Sequence, residues 1–412
     1  MSIIKDVNLA ASGRQKIEWV KSFMPTLTTI GQDHIKNQTF AGLKIGMSIH
    51  LEAKTAYLAL ILKEAGAKVY VTGCNPLSTQ DDVAAGLASL GVEVYAIHGV
   101  LEEEYRDHLN QVLNNKPDLI IDDGGDLLEA YLNLPDSQKW PLIGGCEETT
   151  TGVLRLKQLA KSNRLPFPMM NVNDARCKHL FDNRYGTGQS VLDAILHTTN
   201  VLVAGKTVVV AGYGWCGRGI AMRAHGMGAR VIVTEVDPVK AIEANLDGFE
   251  VMQMQYAALF GDYFITATGC KDVINESHFQ DMKDNAFLAN AGHFDVEINV
   301  KELAQMATAI NNRREDIIGY TLPNGCTINL LAEGRLVNLA AGNGHPAEIM
   351  DMSFSLQIRG LEYLVTTRGT LENQVYNIPD EIDYQVAWTK LDASGIVIDE
   401  LTFDQIEYLG LN

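Results

Sequence analysis

Gly212, Gly214 and Gly217 stand in the spacing G-x-G-x-x-G directly after the apolar run 207–211, and Glu235 lies 21 residues beyond Gly214, closing a second apolar run at 229–234. That constellation suits a dinucleotide. The first glycine allows the tight turn, the second lets backbone approach a pyrophosphate, and the third lets helix and strand pack closely. The helix start offers free N–H groups and the positive end of its dipole to the phosphates. A carboxylate at Glu235 takes both ribose hydroxyls of NAD and repels the extra phosphate of NADP. A tight turn in an ordinary α/β protein accounts for the glycines but leaves Glu235 without a task.

Other groups able to do chemistry crowd the expected ends of strands. His50 follows one apolar run, Asp122-Asp-Gly-Gly-Asp126 follows another, and Cys146-Glu-Glu-Thr-Thr-Thr-Gly152 follows the run 141–143. Carboxylates and glycines together make poor core, because a buried carboxylate needs a partner. The competing readings are a capping and turn cluster for the aspartates and a satisfied structural histidine for His50. Lys178 and Asp182 are four apart and share one face of a helix, which alone describes a surface salt bridge. Thr266-Ala-Thr-Gly-Cys270 and Asn290-Ala-Gly-His-Phe-Asp-Val-Glu297 end two further strands, with His293 facing the cleft.

These residues need a scaffold that gathers strand ends, and the pattern supplies one. Strand-like runs at 44–49, 68–72, 92–97 and 118–121 alternate with helical stretches such as 53–63, and a second such series begins near Thr207. The fold class is α/β: two doubly wound Rossmann-like domains plus a small C-terminal extension. At 412 residues two domains are expected. The divisions are a substrate-binding domain over 1–181 completed by about 347–385, a dinucleotide domain over 189–344, and an extension over 386–412. Residues 349–364 read as a long helix returning to the first domain, and Thr402 as the cap of the last helix.

A net charge of −18 argues against a nucleic-acid surface and against acidic-membrane docking. No apolar run approaches about 18 residues, the span a membrane requires. Six scattered cysteines without a C-x-x-C pair, and ten histidines without metal-ligand spacing, predict a reducing cytoplasm, no disulfide framework and no metal.

Taken together the motifs resemble the S-adenosyl-L-homocysteine hydrolase family over nearly the whole length, in its shorter archaeal and Thermotoga-type branch. The matching stretches are Asn75-Pro-Leu-Ser-Thr-Gln-Asp81, 122–126, 147–152, Asn171-Val-Asn-Asp174, Phe181-Asp-Asn-Arg-Tyr-Gly186, 210–214, 292–298 and 331–339. The resemblance implies a hydrolysis that needs a redox cofactor. Oxidation of the ribose 3′-hydroxyl to a ketone makes the 4′-hydrogen acidic, homocysteine leaves by elimination, water adds, and reduction at C3′ regenerates NAD. The substrate class is a nucleoside thioether and the assembly a homo-oligomer, tetramer or dimer.

Carried over on matching positions, the resemblance makes Lys178 and Asp182 the pair handling the 3′-hydroxyl proton, positioned with the ribose by Asn183 and Glu148. A lysine acts as base only where burial or a nearby cation lowers its pKa. His50 and Asp123 match the acid–base groups at C4′ and C5′, His293 the histidine beside the substrate, and His345 the one at the hinge. NAD contacts fall on Thr149, Thr150, Thr151, Gly212, Gly214, Gly217, Glu235, Thr268, Asn290 and Asn338. Glu52, Lys54 and Thr55 lie beside the purine, where many members have Thr and Glu or Gln at the first two positions.

Two more departures stand out: Thr187 replaces a cysteine common near the nicotinamide, and the sequence reaches Asn412 without the family's C-terminal Lys and Tyr. The simplest expectation for Lys54 is a solvated ammonium, with adenine read by backbone. The alternative is that Lys54 donates to the 6-oxo group of hypoxanthine, as in S-inosyl-L-homocysteine. Readings of another class are an NAD-dependent dehydrogenase, for which His50, Asp123, Lys178 and Asp182 have no evident joint use, and a silent NAD-binding regulator, which predicts loss of one of them.

Overall fold

The computed structural model describes residues 2–411 and contains two sheets. The first runs Val375–Asn377, Met169–Asn171, Gly144–Glu147, Leu119–Asp122, Lys44–Ser48, Lys68–Thr72, Glu93–Val94, parallel throughout. The second runs Ala309–Arg314, Ile317–Thr321, Thr327–Leu331, Phe287–Asn290, Tyr263–Thr266, Thr207–Ala211, Arg230–Thr234, Glu250–Val251. Its first strand and its second pair antiparallel with their neighbours, and the rest are parallel. Strands covered on both faces have nowhere to put polar side chains, which is why they read as unbroken apolar runs. Ile45, Met47, Val71, Leu119 and Ile121 are buried in one core and Val208, Val210, Val233 and Ile265 in another.

The strands differ from the sequence pattern in two places. The strand expected at 141–143 is instead Gly144–Glu147, because a side chain at Gly144 would stand 2.6 Å from the Pro168 carbonyl and one at Gly145 2.5 Å from Ile120. Apolarity alone does not mark a strand that must lie so close to its neighbours. The run 92–97 pairs with Lys68–Thr72 only over Glu93–Val94, and on its other side Tyr95 bridges to Ile3.

The helix Ala347–Thr366 carries the backbone back to the first core, where Phe354, Leu356, Ile358 and Leu361 are buried. Its Asp351 accepts from the backbone N–H groups of Thr26 and Leu27, capping the helix Pro25–Asn37, which has no side-chain cap of its own at Met24. Val375–Asn377 then joins the first sheet. The expected start of the extension at 386 falls inside the helix Asp380–Ala393, whose Val386 belongs to the first core. Thr402 caps Phe403–Leu409 in a reciprocal box with Gln405. Among the described residues no helix is long and apolar enough to cross a membrane.

Candidate active site

The carboxyl ends of both sheets open on one cavity of about 1350 Å³. Every residue singled out for chemistry or binding lines it except Gly217 and Asn290. A cavity above the usual 300–1,000 Å³ range has room for a dinucleotide and a second ligand together.

The Asp-Asp-Gly-Gly-Asp run divides between structure and chemistry. Asp122 accepts from the N–H groups of Leu127 and Leu128, capping the next helix, and Asp126 pairs with Arg155 at 2.9 Å. Asp123 turns toward the cavity instead. Its Oδ2 lies 3.6 Å from His50 Nε2, its Oδ1 lies 4.0 Å from His293 Nδ1, and Oδ1 has no hydrogen-bond partner. His50 Nδ1 is 2.6 Å from Ser78 Oγ. Burial pushes His50 down to about 4, with Asp123 pulling the other way, so its imidazole is neutral near pH 7.

Lys178 is buried at the cavity floor, at the start of a π-helical turn over His179–Gly186. Its ammonium is 3.1 Å from Asp182 Oδ1, 2.8 Å from Asn183 Oδ1 and 3.3 Å from Glu148 Oε1. Asp182 also accepts from Ser353 Oγ at 2.7 Å and faces His345 Nδ1 at 3.2 Å. Burial pulls the Lys178 pKa down, but Asp182 and Glu148 outweigh it and hold the group above the ordinary lysine range. The lowered lysine that a simple base requires is therefore not what this cluster produces, because two carboxylates face one cation. Glu148 is the member nearest neutrality. Burial raises it to about 7 against the pull of Lys178, with Asp182 and Asp123 adding to the rise, and Gln357 Nε2 donates to it at 2.5 Å.

That shift has a measurable consequence. A carboxyl whose folded pKa exceeds its unfolded value of 4.5 binds its proton more tightly in the folded protein. Its contribution to stability is complete below pH 4.5 and is lost as pH rises through about 7. Glu148→Gln should remove a slope of up to about 1.4 kcal/mol per pH unit across that window. Chemical denaturation of both proteins between pH 5 and 8 measures it, and parallel pH profiles would contradict the assignment.

The solvated Lys54 expected from the sequence is overturned. Glu52 is the N-cap of the helix Ala53–Glu64, accepting from the N–H groups of Lys54 and Thr55, and its Oε2 is 2.7 Å from the Lys54 ammonium. Lys54 Nζ also donates to the Asn343 carbonyl at 3.0 Å. Both side chains are buried, because the segment 342–346 folds over this helix start. Thr55 Oγ1 donates to the His50 carbonyl at 2.7 Å, fixing the turn that presents His50. His345 also contacts Thr187 Oγ1 at 3.2 Å.

On the other wall, Gly212 has φ 95°, and a Cβ on Gly217 would stand 1.9 Å from the Gly212 carbonyl oxygen, so Gly217 serves packing. A Cβ on Gly214 would meet nothing within 4 Å, which leaves open space above the helix start at Trp215. Glu235 accepts from the N–H groups of Tyr213, Val236 and Asp237, and so is held at the rim of that turn. Thr149 caps the helix Thr150–Lys161 through the Gly152 N–H, presenting Thr150 and Thr151 to the cavity. Thr268 Oγ1 donates to Glu297 at 2.7 Å. Asn290 is spent internally, accepting from Thr266 and Gly292 and donating to the Gly292 and Phe294 carbonyls. Asn338 donates to Ser190 at 2.9 Å, while its buried Oδ1 has no partner.

Residues 2–140 match the family model described as S-adenosyl-L-homocysteine hydrolase, and 183–344 match that of its NAD binding domain. The adenosylhomocysteinase of Thermotoga maritima is 56% identical over 398 residues, covering 97% of this chain and 98% of that protein. The adenosylhomocysteinase of Thermococcus kodakarensis is 55% identical, with coverage of 98% and 96%. The S-inosyl-L-homocysteine hydrolase of Methanocaldococcus jannaschii is 56% identical, with 98% of each covered. The chain belongs to the S-adenosyl-L-homocysteine hydrolase family.

It is an enzyme of that type, and NAD is its cofactor. The residues present fit the dinucleotide: open space above Gly214, a helix N-terminus, an acid at the end of the neighbouring strand, and the unpartnered Asn338 Oδ1 in the cavity wall. Sequence reasoning missed Asn173, Ser353 and Gln357, which hold Asn183, Asp182 and Glu148 respectively. A signal existed for the last two. Asp351, Ser353, Ser355 and Gln357 alternate with apolar residues in one stretch of this helix, and all four are fully buried.

Proposed function

We propose that this enzyme catalyses the reversible, NAD-dependent hydrolysis of S-adenosyl-L-homocysteine to adenosine and L-homocysteine. The observation that carries the reading is that two separate acid–base clusters, Lys178 with Glu148 and Asp182, and His50 with Asp123, face one cavity with a dinucleotide turn. A plain dehydrogenase has use for one such cluster. Residues 1–181 with 347–385 hold the substrate and residues 189–344 the cofactor in this reading.

When bound, NAD supplies a reversible two-electron oxidant for C3′. Lys178 is the relay for the 3′-hydroxyl proton. It takes that proton as its own ammonium proton passes to Glu148, whose pKa near 7 matches the task, so the proton rests on Glu148 until the return step. Asp182 and Asn183 hold the lysine head in place. His50, neutral and oriented by Ser78, takes the 4′-proton, and the His50–Asp123 pair returns a proton to the departing sulfur. His293 and His345 close the cavity against water, which must be kept from the ketone until elimination is complete. Thr149, Thr150, Thr151, Thr268 and Asn338 position the cofactor.

The test is release of free thiol from S-adenosyl-L-homocysteine by the purified protein without added NAD and without net accumulation of reduced cofactor. Stoichiometric reduction without thiol would support a dehydrogenase instead. S-Inosyl-L-homocysteine is the second reading, favoured by a buried lysine in the cavity wall where a 6-oxo group needs a donor. Lys54→Gln should then shift the kcat/KM ratio toward the adenosyl compound by roughly tenfold or more, the worth of one hydrogen bond. An unchanged ratio would exclude Lys54 as a reader of the base.

The compartment we assign is the cytoplasm, supported by six free cysteines. The assembly we assign is a homo-oligomer, tetramer or dimer. It is supported by exposed apolar side chains on the extension and the dinucleotide unit, including Phe403, Val397, Leu246 and Val239.

A further inference from the structure

Three neighbouring parallel strands of the first sheet, Leu119–Asp122, Lys44–Ser48 and Lys68–Thr72, each deliver one metal-ligating group just past the carboxyl end: Asp123, His50 and Cys74. Nothing in their sequence spacing announces this, since they come from three separate loops. His50 Nε2 is 3.6 Å from Asp123 Oδ2, Cys74 Sγ is 3.5 Å from the same oxygen, and the three ligand atoms lie within 4.8 Å of one another. Zinc bonds of about 2.0–2.3 Å set at tetrahedral angles require ligand atoms about 3.5 Å apart. Two edges of the tetrahedron already have that length.

Further observations point to a cation. Asp123 is 3% exposed; its Oδ2, the oxygen shared by the other two groups, accepts from the Cys74 thiol, and its Oδ1, turned toward His293, has no hydrogen-bond partner. Ser78 occupies Nδ1 of His50, which leaves Nε2 turned to the carboxylate. Cys74 itself is 6% exposed, while His50 and Asp123 line the cavity and give an ion its way in. One thiolate, one imidazole and one carboxylate form a three-ligand set of the kind that holds zinc with a fourth position left for water.

We infer that His50, Cys74 and Asp123 form a binding site for a zinc-class divalent cation, and that the bound ion reversibly inhibits the enzyme. On binding, the Cys74 S–H bond breaks, its proton leaves to solvent, and sulfur bonds to the metal with no change of oxidation state. Inhibition follows because the ion occupies the nitrogen and the carboxylate that work at C4′ and C5′. That second half rests on the proposed function; the binding itself does not.

The experiment titrates the NAD-loaded full-length protein with cadmium and, separately, with zinc. Cadmium should produce a thiolate-to-metal charge-transfer band in the near ultraviolet, with one equivalent bound, and Cys74→Ser should abolish the band. Zinc should stop thiol release in the wild type, a chelator should restore it, and Cys74→Ser should need about a hundredfold more zinc for the same fractional loss. A band that survives in Cys74→Ser, or equal zinc sensitivity of the two proteins, overturns the site. A band with no inhibition keeps the site and removes the roles given to His50 and Asp123. Should Cys74→Ser fail to fold, X-ray absorption of the wild-type cadmium complex decides: one sulfur with nitrogen and oxygen supports the site, and an all-oxygen or multi-sulfur shell refutes it.

Discussion

Lys178→Met should leave NAD bound but slow its reduction on addition of substrate by about 10³-fold, within the range typical for loss of a positioned acid–base group. The methionine keeps most of the side chain's length and apolar bulk and removes the ammonium. It also leaves Asp182 and Glu148 facing each other in a buried floor with no cation between them. Breaking a buried pair in this way costs about 3–5 kcal/mol, because the desolvated charge left behind has no compensation. Glu148 can relieve part of that cost by staying protonated, whereas Asp182 keeps only Ser353 and His345. Two measurements separate the effects: denaturation reads the stability, and single-turnover absorbance of the reduced cofactor reads the chemistry. Reduction at wild-type speed in a folded, NAD-loaded Lys178→Met protein would remove Lys178 from the oxidation step.

Gly219→Ala should be comparably severe, although position 219 touches neither ligand in the proposed scheme. A methyl there would stand 1.8 Å from the carbonyl oxygen of Arg184 and 2.7 Å from its carbonyl carbon. Arg184 lies in the same π-helical turn as Asp182 and Asn183, and a Cβ at Gly188 on the following helix would stand 2.5 Å from the Gly219 carbonyl oxygen. The helix that starts at the dinucleotide turn is thus pressed backbone to backbone against the segment carrying Asp182 and Asn183. Backbone cannot rotate out of the way as a side chain can, so the helix must shift, at a cost of about 3 kcal/mol or more. We expect a lower denaturation midpoint together with at least a tenfold slower cofactor reduction. Gly226→Ala is the control, on the same helix with nothing within 4 Å of the added carbon. Equal behaviour of the two variants would show that the close approach is not required.

Much of the scaffold was legible in the sequence because its signals are local. Strands buried on both faces read as apolar runs, and the glycine turn with Glu235 reads as a dinucleotide site. Capping residues such as Thr402 mark helix starts by their own hydrogen bonds. The strand Gly144–Glu147 was not legible, since its defining constraint is the nearness of Pro168 and Ile120, which adjoin it only in the folded sheet. Lys54 was misread for a related reason: a lysine near a helix start is solvated unless another segment covers it, and the covering segment is 289 residues away at Asn343.

The sequence by itself determined the α/β class, the position of the dinucleotide turn and, through its motifs, the family. Each of these depends on residue types and spacings within one stretch of chain. Only the tertiary structure decided the charge state of the Lys178 cluster, because its pKa is the balance of burial against Asp182, four residues on, and Glu148, which a different element brings in. It also decided how the aspartate run divides, with Asp122 capping a helix and Asp123 turned into the cavity beside His50. The convergence of His50, Cys74 and Asp123 belongs here as well. A parallel sheet sets consecutive strand ends side by side however long the intervening loops are, so ligands scattered along the chain meet at a single point.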